Sequence, residues 1–279
     1  MRDNAAPPVI PDRTPQRVRH ELRLRRLEVR HVEQLTPHML RVTLGGDDLE
    51  GFTSPGFDDH VKLFFPDPAT GELVLPQVGA QGVAKPAPGD APRLMRDYTP
   101  RRYDAASQTL VIDFAMHDSG PATQWARSAQ PGDGIGVGGP RGSLVIPMTF
   151  DGYVLIGDDT ALPAISRRLA ELPAGALAFV FAEIDSPADR LRFASDADVV
   201  VEWLYREGTP AGQSTALIDA LCVATLPAGD VHAWVAAEAG VAKALRRHLV
   251  DARGLNPKWV KAAAYWRRGD AAVHETLDD

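Results

Sequence analysis

The chain has 279 residues, enough for two hydrophobic cores, and its 37 acidic against 30 basic side chains leave a net charge of −7, which argues against a nucleic-acid partner. No run of eighteen apolar residues occurs, so no membrane span is expected. Cys222 is the only cysteine, which excludes an internal disulfide, a Cys-ligated zinc and an iron–sulfur cluster and makes the cytoplasm the expected compartment, with no metal site expected from His/Cys spacing.

Residues 1–16 are proline-rich and polar and lack the apolar centre of a signal peptide, so they are expected to form a disordered leader. From Arg19 the pattern turns to strands. Leu22, Leu24, Leu27 and Val29 alternate with charged residues, and Thr36-Pro37-His38 breaks the run. Met39–Leu44, His60–Phe65 and Leu73–Leu75 read as further strands, and a Pro/Gly-rich loop covers Gly79 to Pro92. Short strands at near-regular spacing, punctuated by Gly and Pro, predict a small antiparallel barrel over residues 17–149.

Arg96-Asp97-Tyr98-Thr99-Pro100-Arg101-Arg102-Tyr103 follows that loop. On a strand, Arg96 and Tyr98 share one face, with Asp97 and Thr99 on the other. Arginine suits a diphosphate because its planar fork donates two parallel hydrogen bonds. Tyrosine suits a flat ring or a sugar, and threonine suits a ring nitrogen. An edge strand carrying a solvated charge cluster is the plainer alternative. The strand Thr109–Phe114 comes next, and then His117-Asp118-Ser119-Gly120-Pro121-Ala122-Thr123. Pro121 fits the first turn of a helix, whose exposed N–H groups bind phosphate or are simply capped. The glycine-dense run from Pro131 to Ser143 permits close backbone approach and matches no nucleotide-hydrolysing loop.

The character changes near Asp151. Tyr153–Ile156, Ala176–Ala182, Val199–Leu204 and His232–Ala237 are continuous apolar runs that alternate with helical patterns, and Trp259–Trp266 reads as a last strand. This predicts an open parallel α/β sheet over residues 150–279, with ligands at the carboxyl ends of its strands. The first such end is Gly157-Asp158-Asp159-Thr160-Ala161-Leu162-Pro163. Its glycine is expected to admit a cofactor, whose phosphate would meet the following helix. Arg190 and Arg192 are candidates for a 2′-phosphate, and Glu183 or Asp185 for ribose hydroxyls.

The order of these features resembles the ferredoxin–NADP reductase superfamily, and within it the siderophore-interacting protein family of FAD-dependent ferric-siderophore reductases. The resemblance rests on Asp59–Pro66, Arg96–Arg101, Asp113-Phe114 with His117, Gly120–Ala126, Gly157–Pro163, and Tyr265–Gly269 with His274-Glu275, and covers about residues 20 to 275. Asp158-Asp159 stand where glycines are usual in the wider superfamily.

The resemblance implies an enzyme in which an antiparallel barrel binds FAD and an α/β domain binds NADPH or NADH. By the same resemblance, Arg96, Asp97, Tyr98, Thr99, Asp113, Phe114, His117, Gly120, Pro121, Ala122 and Thr123 serve FAD. Gly157, Asp158, Asp159, Thr160, Pro163 and Glu238 serve the nicotinamide dinucleotide. Thr99, Tyr265 and Trp266 then lie at the reactive ring, with terminal core packing the alternative for the two aromatics. Lys62, Arg141 and Arg267 are the cations expected to meet an anionic ferric siderophore, or else are separate solvated charges. A monomer is expected, with a ferredoxin as an alternative electron donor. A general flavin reductase and a non-catalytic flavin- or siderophore-binding protein are the competing readings.

Overall fold

The structure is a computed structural model that describes residues 12–79, 82–83, 94–117, 120–269 and 275–276. Its N-terminal half contains β1 (Gln16–Arg19), β2 (Leu24–Thr36), β3 (Met39–Gly45), β4 (Val61–Phe64), the short hairpin β5 (Val78–Gly79) and β6 (Gly82–Val83), and β7 (Met95–Tyr98). It continues with β8 (Arg102–Asp104), β9 (Thr109–Ala115), α1 (Pro121–Ser128), β10 (Gly134–Gly138) and β11 (Gly142–Val145). Seven of these strands form one antiparallel sheet in the order β7-β4-β10-β2-β3-β9-β8, a half-barrel. Alternation builds it: Leu27 and Val29 are buried, while Arg26, Glu28 and Arg30 are exposed. Two bulges bend β2, at Val29/His31 and Gln34/Thr36, so that the sheet wraps round Val42, Leu44, Val61, Leu63, Leu110, Ile112, Ile135 and Val137.

The glycines of β10 make room for this protein's own side chains. A Cβ on Gly136 would lie 2.2 Å from Leu75 Cδ2, and one on Gly138 would lie 2.9 Å from Leu24 Cδ2. Leu73–Leu75, expected as a strand, has no ladder partner among the described residues, and Leu75 instead packs over the groove that Gly136 leaves.

The C-terminal half contains β12 (Gly152–Gly157), α2 (Leu162–Glu171), β13 (Leu177–Ile184), β14 (Asp198–Tyr205), α3 (Ala216–Val223), β15 (Val231–Glu238), α4 (Ala239–Arg247), β16 (Val260–Trp266) and β17 (Glu275–Thr276). Six strands run in the order β14-β13-β12-β15-β16-β17, parallel except for the last pair. β12 and β15 are buried at every residue, as strands covered on both faces must be. Leu162, Ile165 and Leu169 of α2 cover one face, and Leu217 and Leu221 of α3 with Leu245 of α4 cover the other. Among the described residues no helix is long and apolar enough to cross a membrane.

The two halves meet along a polar seam with an apolar floor. Met39 and Phe57 of the half-barrel join the same buried cluster as α2. Asp58 is buried and accepts from Trp234 Nε1 at 2.8 Å, with Lys261 Nζ at 2.5 Å. Burial alone would raise this carboxyl, but the lysine and the indole outweigh it and hold it below the usual range. Arg167 of α2 donates to the Pro100 carbonyl at 2.8 Å and to the Ser54 carbonyl, and Arg101 Nε reaches Ser166 Oγ at 3.1 Å.

Residues 12–16, expected within the disordered leader, are placed. Arg13 pairs with Asp151 at 3.2 Å and Asp230 at 3.0 Å and lies over the Phe150 ring, and β1 pairs with β11. A cation beside two carboxylates and a ring explains why so polar a stretch is held.

Candidate functional site

The Arg96–Thr99 stretch forms β7 and its exit, paired with β4 so that Lys62 faces Asp97 and Leu63 faces Arg96. Antiparallel pairing decides the partners. Lys62 Nζ meets both oxygens of Asp97, at 2.8 and 3.0 Å, so the two charges expected to serve substrate and cofactor serve each other. The Arg96 guanidinium donates only to the neighbouring Met95 carbonyl, at 2.7 Å, and makes no ion pair among the described residues. Its remaining N–H groups are available to an anion.

Tyr98 packs on Phe114 with ring centroids 4.4 Å apart, and Phe114 lies 5.9 Å from Trp125 of α1. The aromatic stack therefore carries α1 beside β7. Burial raises the Tyr98 phenol well above its ordinary range, so it stays neutral. Asp113, expected at the cofactor, is buried and gripped by Arg41 Nε and Nη2 at 2.7 and 2.8 Å. It braces β3 against β9.

Gly120 stands before α1 at φ +126°, with no side-chain cap, and Pro121 occupies the first turn. A Cβ on Gly120 would lie 3.2 Å from the His117 ring. The N–H groups of Ala122 and Thr123 thus start a helix that has no side-chain cap among the described residues. Asp118 and Ser119 lie outside the described residues. An unpaired guanidinium, an uncapped helix start and a buried aromatic platform form a donor set that fits a dinucleotide diphosphate with a flat ring.

Thr99, buried beyond the end of β7, lies close enough to the Tyr265 phenol of β16 to draw its titration down. Tyr265 packs edge-on to Trp234 at 6.0 Å, and its phenol is pushed far up by burial and by nearby Asp58. Thr99 and Tyr265 thus meet at the seam, one from each half.

The crevice at the carboxyl ends of β12 and β15 is lined with acids. Asp158 caps the 3-10 turn Asp159–Ala161, accepting from Thr160 N at 3.0 Å, and takes the Trp266 indole N–H at 2.8 Å. Burial and the Asp159 charge push the Asp158 carboxyl up to about 7. Arg206 pairs with Asp159 at 2.8 Å and lies 3.9 Å from Glu183, whose carboxyl burial also raises. Glu238 caps α4 through the N–H groups of Gly240 and Val241, at 2.6 and 3.2 Å.

Gly157 has a different cause from the expected one. A Cβ there would lie 2.3 Å from Ala161 Cβ and 2.3 Å from the Ala236 carbonyl, so the glycine lets the turn close on β15. Pro163 is buried in the first turn of α2. Trp266 sits against Gly212, where a Cβ would come within 2.9 Å of the indole and of Glu238.

Two of the three expected substrate cations share a hollow: Lys62 and Arg141 line it with Leu22, Leu24, His60, Phe64 and Gly138. Arg267, one residue past β16, is not in that lining. Arg190 lies over the Tyr205 ring, 5.2 Å from its centroid, and Arg192 is exposed. Sequence reasoning missed Asp58, Lys261, Arg167 and Arg206, each of which acts through a partner far away in the chain. His274, part of the expected C-terminal motif, lies outside the described residues.

A two-domain arrangement of this kind, a half-barrel with a diphosphate-type donor set joined to a doubly wound sheet, is that of a flavin-dependent reductase. Residues 28–144 match the family model described as the siderophore-interacting FAD-binding domain, and residues 150–269 match the one described as siderophore-interacting protein. The chain belongs to the siderophore-interacting protein family. It is 40% identical over 259 residues to the NADPH-dependent ferric-chelate reductase of Escherichia coli, covering 91% of this chain and 97% of that one. It is 35% identical to the ferric vibriobactin reductase ViuB of Vibrio cholerae, covering 86% and 89%. Among solved structures it is similar to a siderophore utilization protein from T. fusca, with 43% identity, a TM-score of 0.86, and coverage of 94% and 98%.

Proposed function

We propose that this protein reduces ferric siderophores, passing electrons from NADPH through bound FAD to the iron. The observation that carries the reading is a set of three features: the Arg96 guanidinium, without an ion pair among the described residues, the start of α1, without a side-chain cap among them, and the approach of Thr99 to Tyr265 at the seam. The donor set suits FAD, and the names of the E. coli and V. cholerae relatives support the reductant and the substrate class.

Arg96 and the N–H groups at the start of α1 bind the diphosphate. Tyr98, fixed by Phe114, would orient the ring system, and Thr99, beside Tyr265, would offer its hydroxyl to the ring. FAD held there would supply the change from two-electron transfer with the nicotinamide to the one-electron transfer that a ferric centre requires. Trp266 borders the crevice for the nicotinamide, and Arg190 with Tyr205 is the reader of the adenosine 2′-phosphate.

The net charge of −7 repels an anionic chelate, so a local cation is needed. Arg141 is exposed and makes no ion pair among the described residues, whereas Lys62 brings Asp97 with it. Arg141 therefore leads the attraction, with Lys62 beside it in the same hollow and Arg267 as a further cation past β16. Reduction loosens a hard oxygen cage around iron, and the ferrous ion departs. The protein works as a cytoplasmic monomer, with a ferredoxin as an alternative donor.

Steady-state oxidation of NADPH with a ferric tris-catecholate and a ferrous trap tests the reading. Turnover with stoichiometric trapped ferrous ion supports it. Turnover with free flavin alone favours a general flavin reductase, and tight binding without turnover favours a carrier.

A further inference from the structure

We propose that His38, Asp185 and Asp189 form a binding site for a divalent first-row metal ion, bridging the two halves of the molecule. His38 lies in the turn between β2 and β3, and its carbonyl is fixed by Met116 N at 2.8 Å. Asp185 and Asp189 lie just past β13, with Asp189 ending the 3-10 turn Pro187–Asp189 and accepting from Ser186 Oγ at 3.0 Å. One donor atom from each of the three lies within 4.8 Å of the others, and His38 Nδ1 is 3.0 Å from Asp189 Oδ1. Ligands about 2.1 Å from one ion lie roughly 3.0 Å apart at right angles and roughly 4.2 Å apart when opposed, so small side-chain adjustments would bring all three donors onto one ion.

A simple latch between the halves accounts for only part of the arrangement. His38 and Asp189 alone would make it, through the ring nitrogen and through His38 N at 3.1 Å. Asp185 brings a second carboxylate to the pair, yet among the described residues no group donates to it or pairs with it. Asp189 is buried and Asp185 half-buried, so the added charge is incompletely solvated. Arg190, the nearest cation in sequence, is turned onto Tyr205. A bound cation would give this second carboxylate the partner that the described residues do not supply. One imidazole with two carboxylates and no thiolate suits a divalent ion of the manganese, iron, cobalt or zinc kind, and three protein ligands leave positions for water. Ferrous ion belongs to this class, and its link to the site rests on the reductase reading above.

Titration of the EDTA-treated full-length protein with Mn2+, followed by electron paramagnetic resonance and calorimetry, tests the site without any turnover. One saturable Mn2+ per chain is expected, with affinity reduced at least tenfold in Asp185→Asn. Because Asp185 holds no other side-chain partner, that variant should melt like the wild type in EDTA and lose the rise in Tm that Mn2+ gives the wild type. His38→Gln should weaken binding to a similar degree. Anaerobic Fe2+ should displace the bound Mn2+. No saturable Mn2+ binding, or binding unchanged in both variants, overturns the site and leaves the reductase reading untouched. Failure of NADPH-driven ferric reduction would overturn that reading and leave the Mn2+ titration valid.

Discussion

Trp266 Nε1 donates to Asp158 Oδ2 at 2.8 Å, tying the end of β16 to the loop that leaves β12 across the crevice between them. Trp266 was expected at the reactive ring and Asp158 at the nicotinamide dinucleotide, and the structure joins the two directly. Trp266→Phe keeps a ring but removes the donor. Near pH 8, where Asp158 is ionised, the loss should destabilise the fold by about 1 to 3 kcal/mol. Near pH 5 the carboxyl, pushed up to about 7, is protonated, and the cost should shrink. Urea unfolding at both pH values checks this; an equal cost at the two would contradict it.

Arg96→Ala removes a charged bidentate donor whose one hydrogen bond among the described residues is to the Met95 carbonyl. FAD affinity should fall by about thirty- to hundredfold, equivalent to about 2 to 3 kcal/mol. Equilibrium dialysis of the apoprotein against FAD measures it. Unchanged retention would remove Arg96 from the diphosphate site.

Arg190→Ala with Arg192→Ala should weaken NADPH by about tenfold or more and NADH far less, because only NADPH carries the 2′-phosphate. Tyr205→Ala, which takes away the ring under Arg190, should shift the ratio in the same direction. Parallel losses for both nucleotides would count against this assignment.

His232 is buried beside Phe150, at a centroid distance of 5.3 Å, with Nδ1 unpartnered. Burial, reinforced by the Arg168 charge, holds it down to about 3. The unfolded chain therefore binds a proton that the folded chain refuses between about pH 6.5 and 3, and stability must fall as pH falls through that window. The slope is about 1.4 kcal/mol per pH unit. His232→Phe should lose this component, so its unfolding free energy should vary less between pH 6 and 4. Identical slopes would show that other groups govern the acid transition.

Strands and layers were legible because periodicity is local: Tyr153–Ile156 reads as a doubly covered strand from four letters, and it is one. Leu73–Leu75 misled because an apolar triplet also suits a loop that packs over Gly136. Gly157 was legible as special but not for its cause, since Ala161 and Ala236 become its neighbours only when the turn folds back on β15. The Asp58–Lys261 and Arg167–Pro100 contacts were invisible, because each joins residues of different halves and no spacing rule connects them. Lys62 looked free because its partner, Asp97, depends on strand register.

The most direct test of the account is anaerobic. The purified protein is bleached with NADPH and then mixed with a ferric tris-catecholate, while the flavin absorption and the ferrous ion released are followed together. The account predicts rapid return of the flavin band with two ferrous ions per flavin. It also predicts that Lys62→Ala, Arg141→Ala and Arg267→Ala combined slow the return at low salt and leave the bleaching unchanged, with the difference fading at high salt. A flavin that bleaches but stays bleached with the ferric chelate present would contradict it.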